Sequence, residues 1–474
     1  MKTRKVGIIG AGAAGICSAK YLLASGLDVT LFETGSMIGG LWVYDNDNDR
    51  SSAYASLHIN SEKRNTQFHD FPFAADVQEF PSHEDMADYL GSYARNFGVA
   101  ERIRFNSKVT RVTPSVDEGG ALRWVIEVND GAERHEFDSV IVAAGHLTEH
   151  VMPPFANDFR GEIMHSHYYR VPTPFAGKRV LVIGSGNSGC DITADVSAYA
   201  SRTVMAARSP ELIVPKIFMG RPVTQITGQF EKPWLPSGLP RLARKVITHL
   251  SHGPMENFGL RTPKGRTHPT SHATLINLLA YRRAFAKPGV ESASGATIRF
   301  ADGSSEEFDT VICATGYDIR FPYLDEAIAK VERGGIELFK RIVPPGWPGL
   351  YFVGYFNTAG SSNLRMFEGQ SRWIAKVETG ECALPSRSEM LADVAATDAY
   401  YENHYPGGPR YALEIEPLRY TRELNAEARR GAKRRRRVVT KGQEMSRSIE
   451  DFVPRLRNYP SGRRVTNPSL VSQR

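Results

Sequence analysis

Cysteine is scarce in this sequence. The 474 residues hold four, Cys17, Cys190, Cys313 and Cys382, far apart and with no C-x-x-C. That pattern argues against a disulfide framework, a cysteine zinc site and a redox-active dithiol, and it fits a reducing cytoplasm. Also missing is any unbroken apolar run approaching the roughly 18–20 residues that a bilayer span needs. The start, MKTRK followed by VGIIGAGAAGICSA, has the charged and apolar regions of a secretory leader. Four glycines interrupt the apolar part, and their spacing has a better explanation below, so no cleaved leader is expected. No Ser-His-Asp set and no paired carboxylates stand out. No nucleic-acid-binding fold flanks the basic stretches, so nucleic acid is not expected as a partner.

Glycine is abundant, at 42 residues, which suits tight turns and close approach of backbone to a ligand. The net charge of +7 favours anionic ligands such as phosphates without defining a fold. The length exceeds what one core usually needs, so two or three domains are expected.

Two segments read as strand, glycine turn, helix, strand. In KVGIIGAGAAGICSAKYLLASG, residues 5–26, a buried strand precedes Gly10, Gly12 and Gly15 in G-x-G-x-x-G. The next strand, DVTLFE at 28–33, ends in Glu33, 18 residues past Gly15. Glycines there let backbone approach a pyrophosphate, a helix N-terminus offers N–H donors, and the acid accepts from ribose hydroxyls. That points to FAD or NAD. In KRVLVIGSGNSGCDITADV, residues 178–196, Gly184, Gly186 and Gly189 repeat the fingerprint. Its second strand, RTVMAARS at 202–209, ends in Arg208 with no acid. A 2′-phosphate repels a carboxylate and attracts a guanidinium, so this unit suits NADPH. FDTVICATGYD at 308–318 reads as a further strand running into Thr315 and Gly316, and FDSVIVAAGH at 137–146 as a similar strand that ends the first unit.

The expected fold is α/β with two Rossmann-like dinucleotide-binding domains. A discontinuous FAD domain spans 1–170 and 308–390. An NADPH domain, 171–307, is inserted in it and carries a lid-like insertion at about 218–270. Residues 391–474 read as helical, then basic and poorly ordered. The run KRRRR at 433–437 is most simply a solvated face, with weak contact to an acidic membrane surface as the alternative.

Three shorter stretches add detail. In IGGLWVY, residues 38–44, Gly39 and Gly40 can bring backbone close to a pyrophosphate and Trp42 can flank a ring system. Asn60 sits in a polar loop, where an amide offers both donor and acceptor. FRGEIMHSHYY, residues 159–169, holds an H-x-H pair, His165 and His167. A metal site needs two or more further ligands, and nothing in the sequence brings them together, so no metal is expected.

This combination resembles the flavin-containing monooxygenase family over roughly residues 4–390. The likeness is carried by GAGAAG with Glu33, GGLW at 39–42, SLHIN…DFPF at 56–73, GSGNSGCDI at 184–192, CATGYDIRFPYLD at 313–325 and QSRWIAKVETGECALPS at 370–386. To these is added the signature F-x-G-x-x-x-H-x-x-x-Y/F at Phe159, Gly161, His165 and Tyr169. The resemblance implies that NADPH reduces FAD and NADP⁺ stays bound. Dioxygen then forms a flavin C4a-hydroperoxide, which survives only where water is excluded. A tertiary amine or sulfide attacks its distal oxygen, the cofactor carrying the hard chemistry. It implies Asn60 as the active-site residue. It places cofactor contacts at Gly10, Gly12, Ala13, Ala14, Gly15, Glu33, Gly40, Leu41, Trp42, Ile59, Asn60, Val109 and Gln370. For the second unit they fall at Gly184, Ser185, Gly186, Asn187, Ser188, Gly189, Arg208, Thr315 and Gly316. The expected partners are a small-molecule substrate and O₂, with a homodimer as the assembly. Baeyer–Villiger oxygenation of ketones stays open as an alternative, as does a non-oxygenating NADPH oxidase or redox-responsive flavoprotein. In related Baeyer–Villiger enzymes the signature ends in Trp followed by Pro or Asp; here it ends Tyr169-Arg170, which favours heteroatom oxygenation.

Overall fold

The computed structural model describes residues 3–440 apart from 233, 237, 333, 359–361 and 406–410. Two parallel sheets of five strands each organise them. In the first, Lys5–Ile9 lies at the centre. Asp28–Phe32 and then Ile103–Arg104 lie on one side, and Ser139–Val142 and then Leu350–Phe352 on the other. In the second, Arg179–Ile183 is central, flanked by Arg202–Ala207 and Phe285–Pro288, and by Thr310–Cys313 and Glu162–His165. The central strands are almost wholly apolar because both sheet faces are covered, as parallel sheets require.

Each central strand feeds a fingerprint helix, Ala13–Ala24 and Asn187–Val196. Each sheet also carries a three-stranded antiparallel ribbon, at 109–137 in the first unit and 290–307 in the second. The internal repeat is therefore longer than the glycine motifs that revealed it. A Phe-Asp pair closes both copies. The Asp138 carboxylate accepts from Lys5 N–H and the Asp309 carboxylate from Arg179 N–H, each at 2.7 Å. A strand's first N–H needs such a partner.

Sheet membership moves the boundaries drawn from sequence at 170 and 308. Thr310–Cys313 is the second unit's counterpart of Ser139–Val142, pairing directly with the fingerprint strand. Glu162–His165, from the FRGEIMHSHYY stretch, is the outer strand of the same sheet. Both were expected in the first domain.

The lid region is more regular than its Pro-rich sequence suggests. It holds the helices Val223–Gly228 and Leu239–His252. The chain beyond 391 is helical as expected, but its basic run at 433–437 lies within a packed helix. Arg387–His404 is started by a capping box at Ser386 and Glu389, and Pro417–Thr440 is a 24-residue helix. Met390, Val394, Tyr401, Tyr420 and Leu424 join the first unit's core. Two arginines of the basic run are structural: Arg434 Nε donates to Ala383 O at 3.0 Å and Arg435 Nε to Gly380 O at 2.9 Å. The expected tail beyond 440 lies outside the described residues.

This docking is testable. A Cβ on Gly431 would collide with Cys382 Sγ and lie 3.0 Å from Ala383 O. Overpacking costs about 1–3 kcal/mol, against the roughly 1 kcal/mol by which Ala exceeds Gly in a helix. Gly431→Ala should therefore lower the thermal unfolding midpoint. A raised midpoint would contradict the packing of this helix on the 380–383 turn.

Candidate functional site

The first glycine turn has the geometry of a pyrophosphate cradle. Gly10 turns at φ +99°, and a Cβ there would sit 2.8 Å from Ala143 O. A Cβ on Gly15 would strike Gly10 O, so the helix packs directly on the strand. Gly12 instead lies against Gly40, a built Cβ standing in van der Waals contact at 3.6 Å from the Gly40 Cα. Gly39 and Gly40 both have positive φ and lead into a 3₁₀ turn over Gly40–Trp42. Ala13 and Ala14 form the first turn of the helix. Leu41 is exposed at the rim and Trp42 half-buried.

Glu33 is 7% exposed. Its carboxylate accepts from Ala11 N–H at 2.7 Å, Gly35 N–H at 2.9 Å and Asn48 Nδ2 at 3.2 Å. A carboxylate has about four acceptor positions, so one is left for a ribose hydroxyl. Ser107 N–H donates to Glu33 O at 2.8 Å, which brings the start of the ribbon at Val109 alongside. Gln370 is engaged by the protein itself. It is completely buried, and its amide holds Gly354 N–H, Arg341 O and the Tyr420 hydroxyl.

The second glycine turn repeats the division of labour. Cβ atoms on Gly184 and Gly189 would strike Ala314 O and Gly184 O, whereas Gly186 has nothing within 4 Å. Ser185 is buried, and Asn187 and Ser188 open the helix. Arg208 is exposed just past the Arg202–Ala207 strand. Arg261, from the lid region, donates to Arg208 O. Two guanidinium-bearing residues thus meet at the end of this strand, and Arg261 had no sequence signal.

A cavity of about 150 Å³ opens beside the second turn. Asn60, Asn187, Lys216, Arg244, His268 and Thr358 are among its walls. Asn60 Oδ1 and Asn187 Oδ1 are both buried without a hydrogen-bond partner. A buried orphan carbonyl is costly, and two at one cavity fit a ligand that brings donors. Ile59 is buried, and its carbonyl accepts from Lys216 Nζ at 3.2 Å. His268 Nδ1 lies 3.1 Å from the Glu414 carboxylate, so the C-terminal segment closes the far wall. Thr315 and Gly316 follow the Thr310–Cys313 strand but are tied to Val151: the Thr315 hydroxyl donates to its carbonyl, and Gly316 O accepts its N–H at 3.1 Å.

FRGEIMHSHYY runs along the joint between the two units. A Cβ on Gly161 would lie 2.6 Å from Asp309 O, so only glycine fits under that strand end. His165 Nδ1 accepts from His167 N–H at 3.1 Å, and His167 Nε2 lies 2.9 Å from Asp49 O. Burial, with His150 and His167 nearby, pushes the His165 pKa down to about 4, so its ring is neutral at ordinary pH. Among the described residues no group of three or more His, Cys, Asp or Glu has the placement to hold a metal.

Tyr169 is 1% exposed. Its hydroxyl donates to Asp195 at 3.2 Å and its ring meets Tyr54 and Phe175. Asp195 also accepts from the Ser56 hydroxyl, while neighbouring Asp191 accepts from Tyr54 and lies 3.3 Å from His272 Nε2. The signature's last residue therefore belongs to a latch joining the 54–56 loop to the second fingerprint helix. Burial raises the Asp195 pKa.

Two such turns, one with an acid and one with arginines, are what a flavoprotein reduced by a nicotinamide coenzyme requires. The flavin-binding monooxygenase-like family model matches residues 3–431. That reaches past 390 to include the C-terminal helices. Human flavin-containing monooxygenase 3 is 34% identical over 415 residues, covering 82% of this chain and 76% of that protein. Dog flavin-containing monooxygenase 1 is 33% identical, covering 89% and 82%. Among solved structures, the S-allyl-L-cysteine S-oxygenase of Allium sativum superposes with a TM-score of 0.68 at 27% identity, over 96% of this chain and 98% of that one. Cyclohexanone monooxygenase shares the fold, with a TM-score of 0.67 at 17% identity over 91% and 99%. The chain belongs to the flavin-containing monooxygenase family. It is an FAD- and NADPH-dependent monooxygenase that acts on a small molecule and O₂. Among the described residues no helix is long and apolar enough to cross a membrane.

Proposed function

We propose that this enzyme oxygenates a soft nucleophilic sulfur or nitrogen centre of a small molecule. Tyr169 carries this reading. It ends the signature where Baeyer–Villiger relatives have Trp, and it is built into the joint through Asp195. The naming of the 32–34% identical relatives as flavin-containing monooxygenases supports it, as does the garlic S-oxygenase. A sulfide or tertiary amine reacts through its own lone pair, so no protein base is needed. The cavity fits that economy: among the described residues no Asp or Glu lines it, and His268 is engaged by Glu414.

The balance is one sulfide, one O₂, one NADPH and one proton giving one sulfoxide, one water and NADP⁺. Bound FAD supplies the activation of dioxygen. The chain's own residues do the rest. Gly10, Gly12, Gly15 and Glu33 hold the flavin nucleotide. Gly184, Gly186, Gly189, Arg208 and Arg261 hold NADPH. Asn60 and Asn187 offer their amides to the reacting ends, and the lid keeps water out.

Product analysis with a thioether, a tertiary amine and a cyclic ketone tests the reading. Sulfoxide or N-oxide is expected; lactone as the sole product would overturn it.

A further inference from the structure

Two cations line the cavity, and among the described residues neither forms an ion pair. Lys216 is half-buried, its Nζ bonded to Ile59 O at 3.2 Å and 5.4 Å from the Phe80 ring. Arg244 comes from the lid helix Leu239–His252 and faces the same space. Burial lowers the pKa of both. The neighbouring acids are committed elsewhere. Asp191 holds Tyr54 and His272, and Glu414 holds His268. Glu62 is buried, accepts from Thr224, and has its pKa raised by burial. Glu231 acts on Arg244 electrostatically.

Partly desolvated cations without a counter-ion are unfavourable, and an anion entering the cavity would offset that cost. The coenzyme's phosphates have other places. The 2′-phosphate belongs beside Arg208 and Arg261, and the pyrophosphate belongs at the open face of Gly186. Lys216 instead sits against the residue preceding Asn60.

We propose that the substrate carries a carboxylate close to its soft sulfur or nitrogen, and that Lys216 and Arg244 bind this group. The proposal rests on the oxygenase reading above and narrows it to anionic or zwitterionic thioethers and amines.

The test uses the FAD-loaded enzyme with 3-(methylthio)propanoate and its methyl ester. Wild type should favour the acid by about tenfold or more in kcat/KM, the scale of a charge-assisted hydrogen bond. Lys216→Met and Arg244→Gln should each cut the acid-to-ester ratio by about tenfold, with Lys216→Arg restoring part of it. A wild-type preference for the ester overturns the proposal. So do variants that lose acid and ester equally, or that raise KM for NADPH with the ratio intact. Binding of pentanoate, followed by the flavin absorbance, separates the two readings because it needs no oxygenation. Binding that weakens about tenfold in Lys216→Met supports the anion site even if no sulfoxide forms. Absence of binding to wild type rejects it even if sulfoxides do form.

Discussion

Asn60→Ala should consume NADPH while delivering it to peroxide, with oxygenated product per NADPH falling about tenfold or more. The side-chain carbonyl is buried at the cavity without a protein donor. A hydrogen bond from that amide to the reacting ligands is worth about 1–3 kcal/mol once water is excluded, or about 5- to 150-fold in partitioning. Truncation also leaves a polar-lined gap beside Ser61 and Asn187 large enough to admit water, which is the competing fate in oxygen chemistry. The measurement is simultaneous quantification of NADPH, product and peroxide. Unchanged coupling in the variant would remove Asn60 from the chemistry.

Arg208→Ala should raise KM for NADPH by about 10- to 100-fold, the scale of a lost charge-assisted phosphate contact, and leave NADH nearly untouched. Arg208 is exposed at the strand end and makes no ion pair among the described residues. Arg261 reaches the same backbone. Arg261→Ala should therefore act in the same direction, and the double variant should treat the two coenzymes alike. Steady-state kinetics with both coenzymes decides the matter. Equal weakening of NADPH and NADH would refute the 2′-phosphate assignment.

Both cradles were legible in the sequence because a glycine's role there is local. Gly10 and Gly184 turn with positive φ, and Gly15 and Gly189 pack on Gly10 O and Gly184 O within the same turns; the contacts of Gly10 and Gly184 with Ala143 O and Ala314 O come from distant strands. The acid-versus-arginine contrast between Glu33 and Arg208 was legible for the same reason. What depends on distant segments was not. Glu162–His165 and Thr310–Cys313 belong to the second sheet through pairing with each other and with Arg179–Ile183. Strand signals alone do not choose between two similar parallel sheets. The basic run at 433–437 looks like a solvated face, yet the helix that carries it has a buried side supplied by scattered residues such as Tyr420, Leu424 and Gly431. Gln370, read as a cofactor contact, is spent on a core network whose partners lie up to 50 residues away. Lys216 and Arg244 reach the cavity, and Arg261 the Arg208 carbonyl, from a stretch where neither periodicity nor spacing marked them.

We propose oxygen transfer from O₂ to a soft nucleophile, driven by NADPH. Turnover of a thioether under ¹⁸O₂ tests it most directly. The expected result is a sulfoxide carrying one ¹⁸O, formed in proportion to NADPH oxidised. NADPH oxidised with all of the label recovered in hydrogen peroxide, and none in the thioether, would contradict it.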